Sequence, residues 1–195
     1  MTGWLAGRYG RKRLLMVSVV GFTVSSFLCG LAPTLGTLIF FRILQGATGG
    51  ALQPLSQSVL LEAFPPQDRG KAMGFWALGI VVAPILGPVL GGWLTDTYSW
   101  RWVFYINIPV GIASIVMTKL YVFDPPYLRT GKTKIDYWGI GMLAVGIGAL
   151  QFVLDKGQQE DWFASELITG FTVLSVATLG ALIIHELTTD APIVD

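Results

Sequence analysis

Arg42 is a basic residue that lies well inside a long apolar segment of this sequence, residues 35–63. A charged side chain inside a membrane is costly, so it normally faces a protein interior or a water-filled cavity. Gly46 and Gly50 share its helical face at four-residue intervals, and Gln45 flanks that face. A fixed positive charge in such a place can hold a carboxylate of another helix and couple its protonation to movement. The alternative is that the guanidinium donates to backbone carbonyls and only fixes helix packing.

A second pattern combines small residues and prolines inside the apolar segment 71–94. The small residues recur every four positions on one helical face: Gly79, Ala83, Gly87 and Gly91. Small side chains let a neighbouring backbone approach closely, which is how helices associate in lipid. Pro84 and Pro88 lie on an adjacent face and lack a backbone donor, which predicts a bend. The pattern predicts a bent, tightly packed spanning helix, and ordinary small-residue packing without function is the alternative.

The third pattern is a basic segment near the start of the chain, residues 3–13. Its glycines permit a tight turn between helices. Its basic side chains favour the cytoplasmic face of a membrane: Arg8, Arg11, Lys12 and Arg13. An ordinary positively charged loop accounts for these charges equally well.

Residue types that perform enzyme chemistry are scarce. The sequence has one histidine, His185, and one cysteine, Cys29, which has no second cysteine to pair with. No Ser/His/Asp set, metal-ligand cluster or phosphate-binding loop accompanies them. We therefore expect a protein that is not an enzyme and that holds no metal or cofactor. The net charge of +1 gives no reason to expect a nucleic-acid partner.

Membrane helices must position these residues, because the chain is 53% hydrophobic and only 13% charged. A soluble domain carries about 25% charged residues. Six segments have the roughly 20 apolar residues that a spanning helix needs: 14–32, 35–63, 71–94, 102–122, 136–154 and 166–186. The predicted fold class is all-α, a polytopic transmembrane helix bundle with about six spanning helices. The second segment is long and carries polar positions, so we expect it to tilt or to extend beyond the bilayer.

Basic residues are distributed unevenly between the two sides of this predicted bundle. One side carries Arg8, Arg11, Lys12, Arg13, Arg69, Lys71, Arg129, Lys132 and Lys134. The other side has Arg101 and Lys156 together with several acidic residues. An excess of positive charge marks the cytoplasmic side. We therefore expect a multi-pass protein of the plasma (inner) membrane with both ends of this chain in the cytoplasm.

Together, the three patterns resemble the major facilitator superfamily, and specifically its fourteen-helix drug/proton antiporter branch. The segment 3–13 resembles the family's loop motif at Gly3, Gly10, Arg11 and Lys12, although Gly7 stands where the family usually has aspartate. Residues 38–51 resemble the fourth-helix motif at Arg42, Gln45 and Gly46. The fifth-helix antiporter motif is matched by Gly79, Gly87, Pro88, Gly91 and Gly92. Residues 100–109 and 136–139 are similar to this branch's helix-six entry and next cytoplasmic loop.

The resemblance implies a partial major facilitator fold. Residues 1–13 would form the cytoplasmic loop motif after a missing helix two, and residues 14–123 would form helices three to six. Residues 124–135 would be a cytoplasmic loop, followed at 136–195 by two extra helices between the halves and a cytoplasmic tail. We therefore expect a piece of a longer protein that does not transport by itself, since alternating access needs both halves.

The resemblance also assigns roles to residues. Arg42 with Gln45 would couple protons, and Gly3, Gly10, Arg11 and Lys12 would serve the cytoplasmic gate. The close-packed antiporter helix would depend on Gly79, Ala83, Pro84, Gly87, Pro88, Gly91 and Gly92. The implied activity is proton-coupled export of amphiphilic drugs or related hydrophobic compounds. The implied partners are membrane lipid, protons, the amphiphilic substrate and, as in Gram-negative relatives, a periplasmic adaptor protein. An exporter of a metabolite with the same fold, and a non-transporting membrane scaffold or gene fragment, are the alternatives.

Overall fold

The computed structural model describes residues 2–123 and 136–189, in which every regular element is helical. The helices are α1 (Thr2–Tyr9), α2 (Arg11–Leu31), α3 (Leu35–Gly49), α4 (Leu52–Ala63), α5 (Arg69–Thr97), α6 (Trp102–Tyr105), α7 (Asn107–Tyr121), α8 (Tyr137–Lys156) and α9 (Glu166–Thr188). A short 3₁₀ turn, Trp162–Ala164, precedes α9. The chain divides into two compact units, one containing α1–α7 and the other α8 and α9.

Six helical stretches in the described residues are long and apolar enough to cross a membrane: Arg11–Leu31, Leu35–Ala63, Arg69–Thr97, Trp102–Tyr121, Tyr137–Lys156 and Glu166–Thr188. This confirms the predicted fold class and all six predicted segments. Two of the stretches are interrupted, which the sequence pattern did not show. The second consists of α3 and α4 with a turn at Gly50 and Ala51, and the fourth consists of α6 and α7 on either side of Ile106.

Helix α2 is the centre of the first unit, because α3, α4, α6 and α7 all pack against it. Gly10 has φ 87° and makes the sharp turn that separates α1 from α2, a conformation that glycine adopts without steric cost. At this end of the bundle, a small apolar core joins α1, α2 and α4 through Ala6, Leu15, Val19 and Leu55. At the other end of α2, Thr34 and Thr37 form a capping box that starts α3.

Glycines on α2 and on the helices packed against it allow the close packing of this unit. In each case a Cβ on the glycine would overlap a side chain of the neighbouring helix. The pairs are Gly21 with Thr48, Gly49 with Phe22, Gly30 with Tyr105, and Gly111 with Thr23. Close backbone approach at small residues is the expected packing mode in lipid.

The small-residue face of α5 differs from these contacts. A Cβ on Gly79, Gly87 or Gly92 would meet nothing within 4 Å, and one on Gly91 would reach only the Val103 side chain at 4.0 Å. Helix α5 also runs from Arg69 to Thr97 without interruption at its two internal prolines. The described residues therefore supply no close partner for this face, and its tight packing and bend stay predictions.

The segment 1–13, expected to be a loop, is helical in its described residues, 2–13, on both sides of a turn that is confined to Gly10. The expected cytoplasmic loop at 124–135 and the end of the expected tail, 190–195, lie outside the described residues.

Helices α8 and α9 form the second unit as an antiparallel hairpin, shown by three contacts in opposite order along the two helices. Asp136 contacts His185, with Oδ2 and Nε2 2.8 Å apart. The Ser175 hydroxyl donates to the Gly146 carbonyl at 2.9 Å. The rings of Phe152 and Phe171 lie 4.4 Å apart between centroids. Asp136 also caps α8 by accepting the N–H of Gly139 at 3.0 Å.

Candidate functional site

Arg42 lies on α3, seven residues after Leu35, its first residue. At 1.5 Å per residue this is about 10 Å along the helix axis, inside the spanning stretch Leu35–Ala63. Its Nη1 donates to Gln45 Oε1 at 3.1 Å. Gln45 is buried, with 4% of its surface exposed. Arg42 and Gln45, which the sequence analysis paired on one helix, are thus joined by a hydrogen bond between their side chains.

A residue that the sequence analysis did not assign to the site completes it. The Arg42 guanidinium carbon lies 4.8 Å from the ring centroid of Phe104, on α6. This distance is within the range of a cation–π interaction, in which the ring's negative face attracts the cation. Phe104 is 7% exposed and belongs to the segment 100–109, which the resemblance singled out without giving it a role. The density of aromatic residues in that segment is the sequence signal that could have drawn attention to it.

Hydrogen bonds connect Phe104 to the middle of the unit. The Ser26 hydroxyl, on α2, donates to the Phe104 carbonyl at 2.9 Å. The Asn107 amide, at the start of α7, donates to Ser26 Oγ at 3.0 Å. Ser26 is fully buried, so both of its hydrogen bonds form away from solvent. The site therefore draws on four helices, α2, α3, α6 and α7.

Arg42 has no carboxylate partner within residues 2–123 and 136–189. The ion pairs in these ranges are Arg11 with Glu62, Lys71 with Asp68, and His185 with Asp136. None of them lies on the middle of a spanning helix, in agreement with the sequence, whose acidic residues fall in loops or near span ends. The in-plane N–H groups of Arg42 that Gln45 does not engage are thus available to an acceptor.

The predicted gate residues lie together at the other end of α2. Arg11 forms an ion pair with Glu62 at the end of α4, and the Arg11 side chain is 16% exposed. The Lys12 ammonium donates to the Lys119 carbonyl at 2.8 Å, in the last turn of α7. It also lies 5.3 Å from the ring centroid of Phe123. Arg11 and Lys12 therefore tie the start of α2 to the ends of α4 and α7, whereas Gly3 lies within α1.

No group of three or more histidine, cysteine or acidic side chains that could bind a metal occurs in the part of the chain that the structure describes. The Arg42 site contains a charge, an amide and an aromatic ring, which is linked through its backbone to the Ser26 hydroxyl. Such an arrangement can attract an anion and respond to its protonation. It is suited to electrostatic coupling.

Comparison with known proteins places these features in a family. The sequence model of the Major Facilitator Superfamily matches residues 1–189. The chain is 48% identical to the multidrug export protein EmrB of Haemophilus influenzae and 46% identical to the protein of that name in Escherichia coli K12. It is 45% identical to the fatty acid resistance protein FarB of Neisseria gonorrhoeae. All 195 residues are covered in each comparison, and they span 38% of the length of each of these relatives.

Proposed function

The chain belongs to the Major Facilitator Superfamily, and from this membership we propose that it is part of a proton-coupled antiporter. The antiporter exports amphiphilic drugs or related hydrophobic compounds by alternating access. The names of the EmrB relatives, which describe multidrug export, support this cargo. The implied partners are membrane lipid, the amphiphilic substrate, protons and a periplasmic adaptor protein.

The observation that carries the proposal is the environment of Arg42. An arginine within a spanning stretch, engaged by Gln45 and Phe104 but by no carboxylate of the described residues, keeps a positive charge available. A positive charge favours the ionised form of an acid that approaches it. In the proposed mechanism, an acidic group elsewhere in the whole transporter approaches Arg42 in one state and releases its proton. It then moves away and binds a proton in the other state.

The remaining predicted residues have supporting roles in this proposal. Gly10, Arg11 and Lys12, with Gly3, hold the cytoplasmic end that opens and closes. The small-residue face of α5, which has no close neighbour within residues 2–123, packs against another part of the whole transporter. Close packing of that face restricts proton leakage and favours exchange over uptake.

The test of the proposal is replacement of Arg42 in the full-length protein. Arg42→Ala is expected to abolish proton-driven efflux of an amphiphilic dye from everted membrane vesicles while membrane insertion remains normal. Arg42→Lys keeps the charge but loses the planar fork of donors, so we expect partial activity. Lys156→Ala, an exposed residue that donates only to Gln159 in the described contacts, is the matched control for loss of a positive charge. Unchanged efflux in Arg42→Ala would refute the coupling role.

Fatty acids are the second candidate cargo, because one relative at 45% identity is named for fatty acid resistance. A fatty acid has an apolar chain and an anionic head, and so it belongs to the same broad class of amphiphiles. If it is carried, a long-chain fatty acid competes with dye efflux more strongly than the alcohol of equal chain length. Equal competition by the two compounds would indicate that only apolar length is recognised.

The proposed orientation places both ends of this chain in the cytoplasm. Cys29, the one cysteine of this sequence, is fully buried. In a Cys29→Ala background, a single introduced cysteine reports which side of the membrane its position faces. Gln67 and Gln158 are exposed and lie in connections that the charge distribution assigns to opposite sides. A membrane-impermeant maleimide applied to intact cells is expected to label Gln158→Cys and not Gln67→Cys. The reverse pattern would overturn the orientation.

A further inference from the structure

We infer that Phe104 is a positioning residue for Arg42, fixing the direction in which its guanidinium presents charge. The inference rests on the proposed coupling role of Arg42. The two side chains come from helices that are distant in sequence, and the guanidinium carbon lies 4.8 Å from the ring centroid. Arg42 also donates to Gln45, but this residue is only three positions along the same helix. Phe104, by contrast, ties Arg42 to another helix, α6.

The chemistry of a cation–π contact explains why an aromatic ring suits this task. A guanidinium is planar and has five N–H donors that point outward in its plane. The ring attracts the guanidinium charge through its π face, whereas Gln45 accepts a hydrogen bond from one guanidinium nitrogen. The ring contains no oxygen or nitrogen acceptor, so the guanidinium keeps donors that can still pair with a carboxylate. An acceptor side chain in place of the ring would compete for those donors.

Phe104 is itself held firmly. Its carbonyl accepts the buried Ser26 hydroxyl at 2.9 Å, and Ser26 accepts from Asn107 at 3.0 Å. The ring of Trp100 packs edge-on against the Phe104 ring with centroids 6.0 Å apart. With 7% of its surface exposed, Phe104 has little freedom to change rotamer.

The surrounding segment, residues 100–109, is docked on the end of α2 by two further contacts. Arg101 donates to the Ala32 carbonyl at 3.5 Å. The Tyr105 ring lies against Gly30, where any Cβ would overlap it. Helix α3, which carries Arg42, also packs on α2. The segment 100–109 and Arg42 are therefore both positioned by α2. This assigns a role to an aromatic segment that the proposed function left without one.

The test compares three variants of the full-length protein by the pH dependence of proton-driven dye efflux. Phe104→Leu keeps apolar volume but loses the negative ring face, so we expect about a tenfold lower maximal rate and a shifted pH profile. Phe104→Tyr keeps the ring and is expected to remain within about twofold of the wild-type rate. Phe27→Leu is the matched control, because Phe27 contacts Tyr105 but stacks on no cation in the described structure. A change confined to packing would lower the rate without moving the pH profile.

A second measurement applies if Phe104→Leu does not fold. Phenylalanines carrying one, two or three fluorines at position 104 keep the ring shape and progressively weaken its attraction for a cation. We expect the efflux rate to fall stepwise with fluorine number. A flat series, or a wild-type pH profile in folded Phe104→Leu, would overturn the inference. If Arg42→Ala abolishes efflux while these Phe104 variants behave as wild type, only the positioning role fails. Full efflux in Arg42→Ala would instead refute the proposed function itself.

Discussion

Gly111 on α7 is the position where we expect one added methyl group to be most informative about the packing of the first unit. A Cβ at this position would overlap three atoms of the Thr23 side chain on α2: Oγ1, which is the nearest, Cγ2 at 2.8 Å and Cβ at 2.9 Å. Thr23 cannot swing aside easily, because it is β-branched and its hydroxyl donates to the Val19 carbonyl at 2.7 Å. The two helices must therefore separate to accept Gly111→Ala.

The size of the effect follows from this overlap. Restoring Cγ2 alone to an ordinary contact of about 3.4 Å from 2.8 Å requires a shift on the order of 0.6 Å, and the nearer Oγ1 requires a larger one. A gap of about 0.5–1 Å removes a quarter to a half of the dispersion energy of the contacts it affects. Overpacking of this kind costs about 1–3 kcal/mol. The higher helix propensity of alanine returns at most about 1 kcal/mol. Because Oγ1 overlaps most closely, we expect the cost to lie near the upper end of this range, so Gly111→Ala should lower the free energy of unfolding by about 2 kcal/mol.

The assay is denaturant or thermal unfolding of the full-length protein in a mild detergent. Gly74→Ala on α5 is the matched control, because a Cβ there would meet nothing within 4 Å, so it is expected to be neutral or slightly stabilising. Thr23→Ala in the Gly111→Ala background removes two of the three overlapping atoms and is expected to restore part of the stability. If Gly111→Ala is as stable as Gly74→Ala, the argument that this glycine sets the distance between α2 and α7 is wrong.

Three further predictions concern the gate, the hairpin and α5. Glu62→Gln leaves the largely buried Arg11 guanidinium without its carboxylate, and we expect a loss of about 1–2 kcal/mol in unfolding free energy, measured in a double-mutant cycle with Arg11→Gln. A coupling energy of zero would contradict this. The N–H of Gly139, donating to the Asp136 carboxylate, lowers the pKa of that carboxyl. Its stabilisation of α8 is therefore complete above the ordinary carboxyl pKa of about 3.9 and is lost as the pH falls through the lowered value. Asp136→Asn should therefore reduce the loss of unfolding free energy at acid pH. If the variant loses stability at acid pH as the wild type does, the Asp136 cap does not contribute to it. Finally, Gly91→Leu in the full-length protein should abolish efflux by blocking close helix approach, so normal transport by this variant would count against the tight-packing prediction for α5.

Much of the candidate site was accessible from sequence because its members are neighbours on one helix. Arg42 and Gln45 are three residues apart, so any helix brings their side chains together. The gate residues Arg11 and Lys12 were identified from a local motif in the same way. Their partners were not, because Glu62 and the Lys119 carbonyl belong to other helices.

The contact between Phe104 and Arg42, by contrast, could not be predicted from the sequence. Phe104 is 62 positions from Arg42 along the chain, and its contact depends on how α3 and α6 both pack on α2. That packing depends on glycines at which a side chain would overlap the neighbouring helix, as at Gly30 and Gly49. The sequence predicted close packing at the small residues of α5, because they recur every four positions. The described residues supply no close neighbour for that face.

The sequence by itself determined the class of this protein, its six spans and its family. Hydropathy is read along the chain over about 20 residues, and each membrane helix satisfies its own backbone hydrogen bonds, so spans follow from local composition. Only the tertiary structure decided which faces meet, that two spans are interrupted, and that an aromatic ring lies against Arg42. In lipid every apolar face is equally well solvated, so helix pairing depends on steric fit and a few buried polar contacts, and these exist only once the helices are assembled.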